Sequence, residues 1–276
     1  MVIPSASPPT RTIDLSPGPL TYCDMGDSAT SILLLHGLSF RPGLYPLIEH
    51  LLPNFRVIAL DLPFYNRDHS AADHTHIQSH VNLILEFITT LQLKGCAIFG
   101  NSLGGTLGLM CAHEDPTAFS RLILRAPLWT RSQLPTYLRL TPLIATHCWL
   151  SRFNPYANWA LDSIYTLSEK MSPQNGNATS IPHRDLFAQY QVNPPVLSTF
   201  LGHLIQADLT DQLPRIPNPT LVLWGQLDTL TPSIWGERLS QCMPYARFQE
   251  ITGEYHNMAT TDPKVLADKI TAFVLA

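Results

Sequence analysis

At 276 residues, 45% hydrophobic and 14% charged, the chain is long and apolar enough for one well-cored α/β domain or a core with an insertion, and its composition excludes a disordered chain. A net charge of −4, a pI near 6.2 and scattered lysines leave no basic stripe, so no nucleic-acid partner is expected. No apolar run is long enough for a membrane span, and MVIPSASPPTRTIDLSPGP lacks the charged and apolar regions of a signal peptide.

In chain order, PLTYCDMG (19–26) reads as an antiparallel edge strand, followed by a strand at SILLLHG (31–37) and a helix at LYPLIEHLL (44–52). FRVIALDLP (55–63) is the next strand, and HIQSHVNLILEFITTLQL (76–93) the next helix. There Ile77, Val81, Ile84, Leu85, Ile88 and Leu91 recur at spacings of three and four and define one apolar face. The strand CAIFGN (96–101) runs directly into the helix SLGGTLGLMCAHE (102–114), and RLILRAP (121–127) is strand again. After a break, TLVLWGQLD (220–228) and ARFQEIT (246–252) are strands, with helices at WGERLSQCM (235–243) and KVLADKITAFVL (264–275). Short apolar runs alternating with helices predict an α/β fold: a mostly parallel sheet with helices on both faces.

Between 128 and 219 the alternation fails, and the chain becomes helical in flavour, aromatic and punctuated by proline. A structureless loop of that length does not belong in a compact domain. The expectation is a helical cap at 128–219 inserted into a core formed by 1–127 and 220–276, with the polar stretch 172–185 as a loop inside the cap. The five cysteines (Cys23, Cys96, Cys111, Cys148 and Cys242) are widely spaced and include no CxxC pair. Reduced, mostly buried thiols in a cytoplasmic protein are expected, with no disulfide framework and no metal site.

Ser102 stands in G-N-S-L-G between a strand and a helix, the setting in which a strained turn lifts a nucleophilic serine above a sheet. Gly100 and Gly104 omit side chains where neighbouring backbone must come close. A serine nucleophile needs a base, and the base needs orienting. His256 lies between the last strand and the last helix, and Asp228 follows the preceding strand. The resulting order Ser102, Asp228, His256 is the order this architecture uses. Asp228 has a second available role as a turn or N-cap residue, given Thr229 and Pro232 beside it. For the oxyanion, the Leu103 amide follows the nucleophile and the Leu38 amide follows His36-Gly37. His36 itself reads as a structural brace of that loop.

With HG after one strand, D-L-P after the next, the GxSxG turn, W-G-x-x-D and a late histidine, nearly the whole chain resembles the α/β-hydrolase superfamily. The resemblance implies a core of about eight strands, a cap inserted after the sixth, and no cofactor or metal. The residues so placed suit a small-molecule ester-type substrate (a carboxylic ester, thioester or lactone) hydrolysed through an acyl-enzyme, and a monomer or homodimer is expected. The chain departs from many capped relatives after D-L-P, where FYNRDHS replaces a glycine-histidine-glycine run. Phe64 and Tyr65 are therefore candidate substrate contacts, with Trp129 of the cap segment. The aromatics of that segment, Trp149, Phe153, Tyr156 and Trp159 among them, suit either an apolar acyl or aryl group or a helix–helix core. The same serine set also serves carbon–carbon bond hydrolases of ring-fission products and acyltransferases, and a non-catalytic ligand-binding protein could retain the pocket.

Overall fold

The computed structural model describes residues 8–16, 18–37, 41–63, 76–133, 200, 202–256 and 262–276. Leu38, Phe64, Tyr65 and residues 134–199 of the expected cap, Cys148 among them, lie outside them.

The described residues form an eight-stranded sheet. Its strands are β1 (Thr10–Leu15), β2 (Gly18–Met25), β3 (Ser31–Leu35), β4 (Arg56–Leu60), β5 (Cys96–Asn101), β6 (Phe119–Arg125), β7 (Thr220–Gly225) and β8 (Ala246–Ile251). Their order across the sheet is β1-β2-β4-β3-β5-β6-β7-β8. From β4 to β8 every neighbouring pair is parallel, whereas β2 runs antiparallel to both β1 and β4. The segment expected at the edge is thus one strand in from it, because β1 caps the sheet. TRTIDL is polar and largely exposed, with only Leu15 buried, and so gives little of the apolar pattern that marks a strand.

Side chains on a strand alternate between faces, and the packing follows that rule. On one face Leu33, Leu35, Ile58, Leu60, Ile98, Leu122, Leu124 and Trp224 pack with α2 (Ile77–Thr90), α3 (Leu103–Glu114) and α4 (Ile234–Cys242). On the other, Ile32, Leu34, Val57, Ala59, Ala97, Phe99, Ile123 and Leu223 pack with α1 (Tyr45–Leu51) and α5 (Pro263–Val274). The buried stripe of α2 is His80, Val81, Leu83, Ile84, Phe87 and Ile88. It is rotated from the expected face, with Ile77, Leu85 and Leu91 at its margin, because the ring of Phe87 packs edge-on against Tyr22 of β2. Burying each of Val81, Ile84 and Phe87 contributes about 1.5–3 kcal/mol. Helix α3 is apolar on all sides because it is enclosed, with nine of its twelve residues buried.

The segments flanking 134–199 pack into this core. Leu128, Trp129, Phe200, Leu204, Leu209 and Leu213 join the α2/α3 layer, and the Leu209 amide donates to the Trp129 carbonyl at 2.8 Å. Among the described residues, no helix is long and apolar enough to cross a membrane. Cys23, Cys96 and Cys111 are buried and Cys242 partly so, all as free thiols. Burial pushes the Cys96 thiol up to about 12, which keeps it protonated and unreactive.

Candidate active site

The strand order creates the site. The chain runs from β3 outward to β4, then crosses back over β3 to β5, so the carboxyl ends of β3 and β5 face a crevice at a point where the winding direction reverses. His36-Gly37 leaves β3 there, and Ser102 leaves β5.

Ser102 has φ 51° and ψ −113°, a conformation that costs a non-glycine residue about 1–3 kcal/mol and persists only where its surroundings enforce it. The enforcement is visible in the backbone. The Ser102 amide donates to the Arg125 carbonyl at 2.7 Å, and its carbonyl accepts from the Gly105 and Thr106 amides at 2.9 and 3.1 Å. The neighbouring glycines are required sterically. A Cβ on Gly100 would sit 2.5 Å from the Gly104 carbonyl oxygen, and one on Gly104 would overlap the Leu35 carbonyl of β3. Gly104→Ala is therefore expected to destabilise the protein near the upper end of the about 1–3 kcal/mol typical of overpacking, read as a lowered urea midpoint at unchanged m-value.

His256 stands between the two other predicted residues, although it is 154 positions from the serine. Its Nε2 lies 3.3 Å from Ser102 Oγ and its Nδ1 lies 2.7 Å from Asp228 Oδ2. Asp228 is only 5% exposed, and its oxygens divide the two roles anticipated for it. Oδ1 accepts the Leu230 and Thr231 amides at 3.0 and 2.9 Å, fixing the turn after β7, while Oδ2 faces the imidazole. The Thr231 hydroxyl donates to Oδ2 at 3.1 Å and lies 3.4 Å from His256 Nδ1. Burial pushes the Asp228 carboxyl up, but His256, the Thr231 amide and the Arg125 charge together outweigh it, and the net shift is downward. A lowered folded-state value means that the carboxylate stabilises the fold above the ordinary aspartate range near 3.8, and that this contribution is lost as pH falls through the lowered value.

The start of the loop after β3, where the sequence places an oxyanion donor, is braced from below. His36 is fully buried, its Nδ1 is 2.6 Å from the Gly37 carbonyl, and its Nε2 accepts the Leu62 amide at 3.1 Å. That arrangement fixes a neutral tautomer with the proton on Nδ1, which suits a brace between β3 and the segment after β4. A Cβ on Gly37 would lie 3.2 Å from Ser102 Cβ, so this backbone runs directly beside the serine. Leu103 opens α3, where the first amides of a helix lack intrahelical acceptors and carry the positive end of its dipole. Trp129 is placed in the core: it is 4% exposed, lies edge-on to Trp235 and donates its indole N–H to the Trp235 carbonyl at 3.2 Å. Among the described residues, no group of three or more His, Cys, Asp or Glu side chains is arranged to hold a metal ion.

Two residues at the site escape the sequence reading. Thr231 completes the Asp228 turn, and Arg125 ends β6 fully buried, with its guanidinium bonded to Asn101 Oδ1 and to the backbone carbonyls of Tyr255 and His256. The only signal for the latter was a charged residue closing the apolar run LIL in RLILRAP.

Residues 30–263 match the family model described as alpha/beta hydrolase fold. The chain is 25% identical over 257 residues to the uncharacterized hydrolase YugF of Bacillus subtilis, covering 88% of this chain and 89% of that protein. It is 24% identical over 243 residues to a pimeloyl-acyl carrier protein methyl ester esterase of Vibrio vulnificus, covering 88% and 93%. Among solved structures, an esterase from Exiguobacterium antarcticum superposes with a TM-score of 0.78 at 18% identity, covering 96% of this chain and 99% of that one. An enol-lactonase from Burkholderia xenovorans gives 0.76 at 18% identity, covering 96% and 100%.

Proposed function

The chain belongs to the α/β-hydrolase family, and from that premise we propose that it is a serine hydrolase that cleaves a carboxylic ester with an apolar acyl or aryl part. The observation that carries this reading is His256, held by Asp228 on one ring nitrogen and facing Ser102 Oγ with the other. The likeness to a pimeloyl-acyl carrier protein methyl ester esterase over most of both chains supports the ester as substrate class.

In this mechanism Ser102 Oγ attacks the ester carbonyl carbon while His256 Nε2 takes its proton. Asp228 keeps the Nδ1–H pointed at itself and stabilises the imidazolium. The tetrahedral oxyanion is held by the Leu103 and Leu38 amides, each such donor being worth about 10²–10³ in rate. His256 then protonates the departing alkoxide, and the acyl group stays on Ser102. A water deprotonated by the same imidazole attacks the acyl-enzyme, releasing the acid and restoring the serine. The segment 128–219 serves in this reading as the cap over the serine, with Phe64 and Tyr65 shaping the acyl or aryl subsite, whereas Trp129 packs in the core against Trp235 and is not counted among the substrate contacts.

The test is turnover of a panel of chromogenic esters of graded acyl length, with Ser102→Ala alongside. Turnover with a chain-length optimum, absent from the variant, supports the proposal. Inactivity of the wild-type protein across the panel overturns it.

A further inference from the structure

The loop carrying His256 is tied to the strand carrying the serine by one buried guanidinium. Arg125 is 1% exposed and pairs in register with Asn101, the residue before Ser102. Its Nη1 donates to Asn101 Oδ1, and its Nη2 donates to the Tyr255 carbonyl at 3.0 Å and to the His256 carbonyl. Its own carbonyl receives the Ser102 amide. One residue on β6 therefore fixes both the nucleophile turn and the base-bearing loop.

Fold stability alone does not call for an arginine here. Burial of the guanidinium pushes its pKa down to about 10, with Asp228 and Glu254 acting in the opposite direction, so it stays charged at neutral pH at a desolvation cost. A methionine would fill the space without that cost. What arginine adds is a rigid planar fork that bonds two separate segments in a set geometry, which a lysine ammonium on its flexible stem cannot reproduce.

We propose that Arg125 is a positioning residue, whose fork sets the distance between His256 Nε2 and Ser102 Oγ by clamping Asn101 and the Tyr255–His256 backbone together. The proposal rests on the serine hydrolase reading above. It does not make Arg125 a group that touches substrate.

The test compares Arg125→Met and Arg125→Lys with the wild-type protein on the best ester of the panel, with folding checked by near-ultraviolet circular dichroism. Because a displacement of about 1 Å between reacting groups costs about 100-fold, Arg125→Met is expected to lose about that factor in kcat. KM should stay within about threefold of wild type, as for a residue that acts on the transition state and not on substrate binding. Arg125→Lys, which keeps the charge but not the fork, should fall between, about 10-fold below wild type. A folded Arg125→Met enzyme with wild-type kcat, or one whose loss lies in KM, overturns the proposal. So does an Arg125→Lys enzyme with wild-type kcat, and this arm stands even if the methionine variant does not fold. A readout that needs no substrate is the far-downfield proton resonance of the His256 Nδ1–H bonded to Asp228, assigned by its loss in His256→Gln. It should be sharp in the wild type and broadened by exchange in both Arg125 variants; an unchanged resonance counts against the clamp. Absence of ester turnover in the wild type would count against the hydrolase reading alone, and the resonance would still report on Arg125.

Discussion

Replacing Ser102 by alanine is expected to lower kcat for ester hydrolysis by on the order of 10⁶-fold, as loss of a serine nucleophile does where serine and histidine act as a unit. The substitution leaves the structural demands of the turn in place. The hydrogen bonds that impose φ 51° on this residue run through its backbone amide and carbonyl, which alanine retains. Only the hydroxyl facing His256 Nε2 is removed. The variant should thus unfold at nearly the wild-type urea concentration and bind substrate with little change, so that the loss is one of chemistry. Steady-state kinetics with an unfolding curve on the same preparation separates these quantities. A variant retaining more than about one-hundredth of wild-type kcat would assign the chemistry to another group.

Asp228→Asn is expected to lower kcat about 10⁴-fold while the fold survives, because the substitution reverses the imidazole tautomer. The division of labour between the two carboxylate oxygens determines the outcome. Oδ1 accepts the Leu230 and Thr231 amides, and an asparagine must keep its carbonyl oxygen there or leave those donors unmatched. Its NH₂ group is therefore forced onto the side that faced His256 Nδ1. Nδ1 must then accept and Nε2 must carry the proton, which leaves no lone pair to receive the proton of Ser102. Asp228→Ala, which frees the ring without imposing a tautomer, provides the comparison: the tautomer argument requires it to be no more damaged than Asp228→Asn. Both are read from kcat at saturating substrate.

The parts of the fold legible in the sequence were those under a single strong constraint. The parallel strands β3 to β7 are buried on both faces, so they must be short continuous apolar runs, and SILLL, RVIAL and CAIFGN could hardly read otherwise. The strained turn was legible because it leaves no room for a Cβ at Gly100 or Gly104. Asp228 and His256 could be named because the architecture fixes their place after β7 and β8. Strand β1 was not legible because it is an exposed edge, held by backbone pairing to β2 more than by burial. Arg125 was hidden for a different reason. Its partners are an asparagine 24 positions earlier and two backbone carbonyls about 130 positions later, and carbonyl acceptors leave no trace in residue identity. Thr231 was passed over in favour of Thr229, since either could serve an aspartate turn and only the geometry of the loop decides which amide and hydroxyl reach the carboxylate.

The most direct measurement is covalent titration of the native protein with a fluorophosphonate, followed by intact mass and peptide mapping. This reagent forms a stable adduct only with an activated hydroxyl and does not depend on guessing the substrate. One adduct per chain is expected, on Ser102, formed rapidly by the wild type and not detectably by His256→Gln. An unmodified Ser102, or labelling that proceeds equally well without His256, would contradict its assignment as the nucleophile.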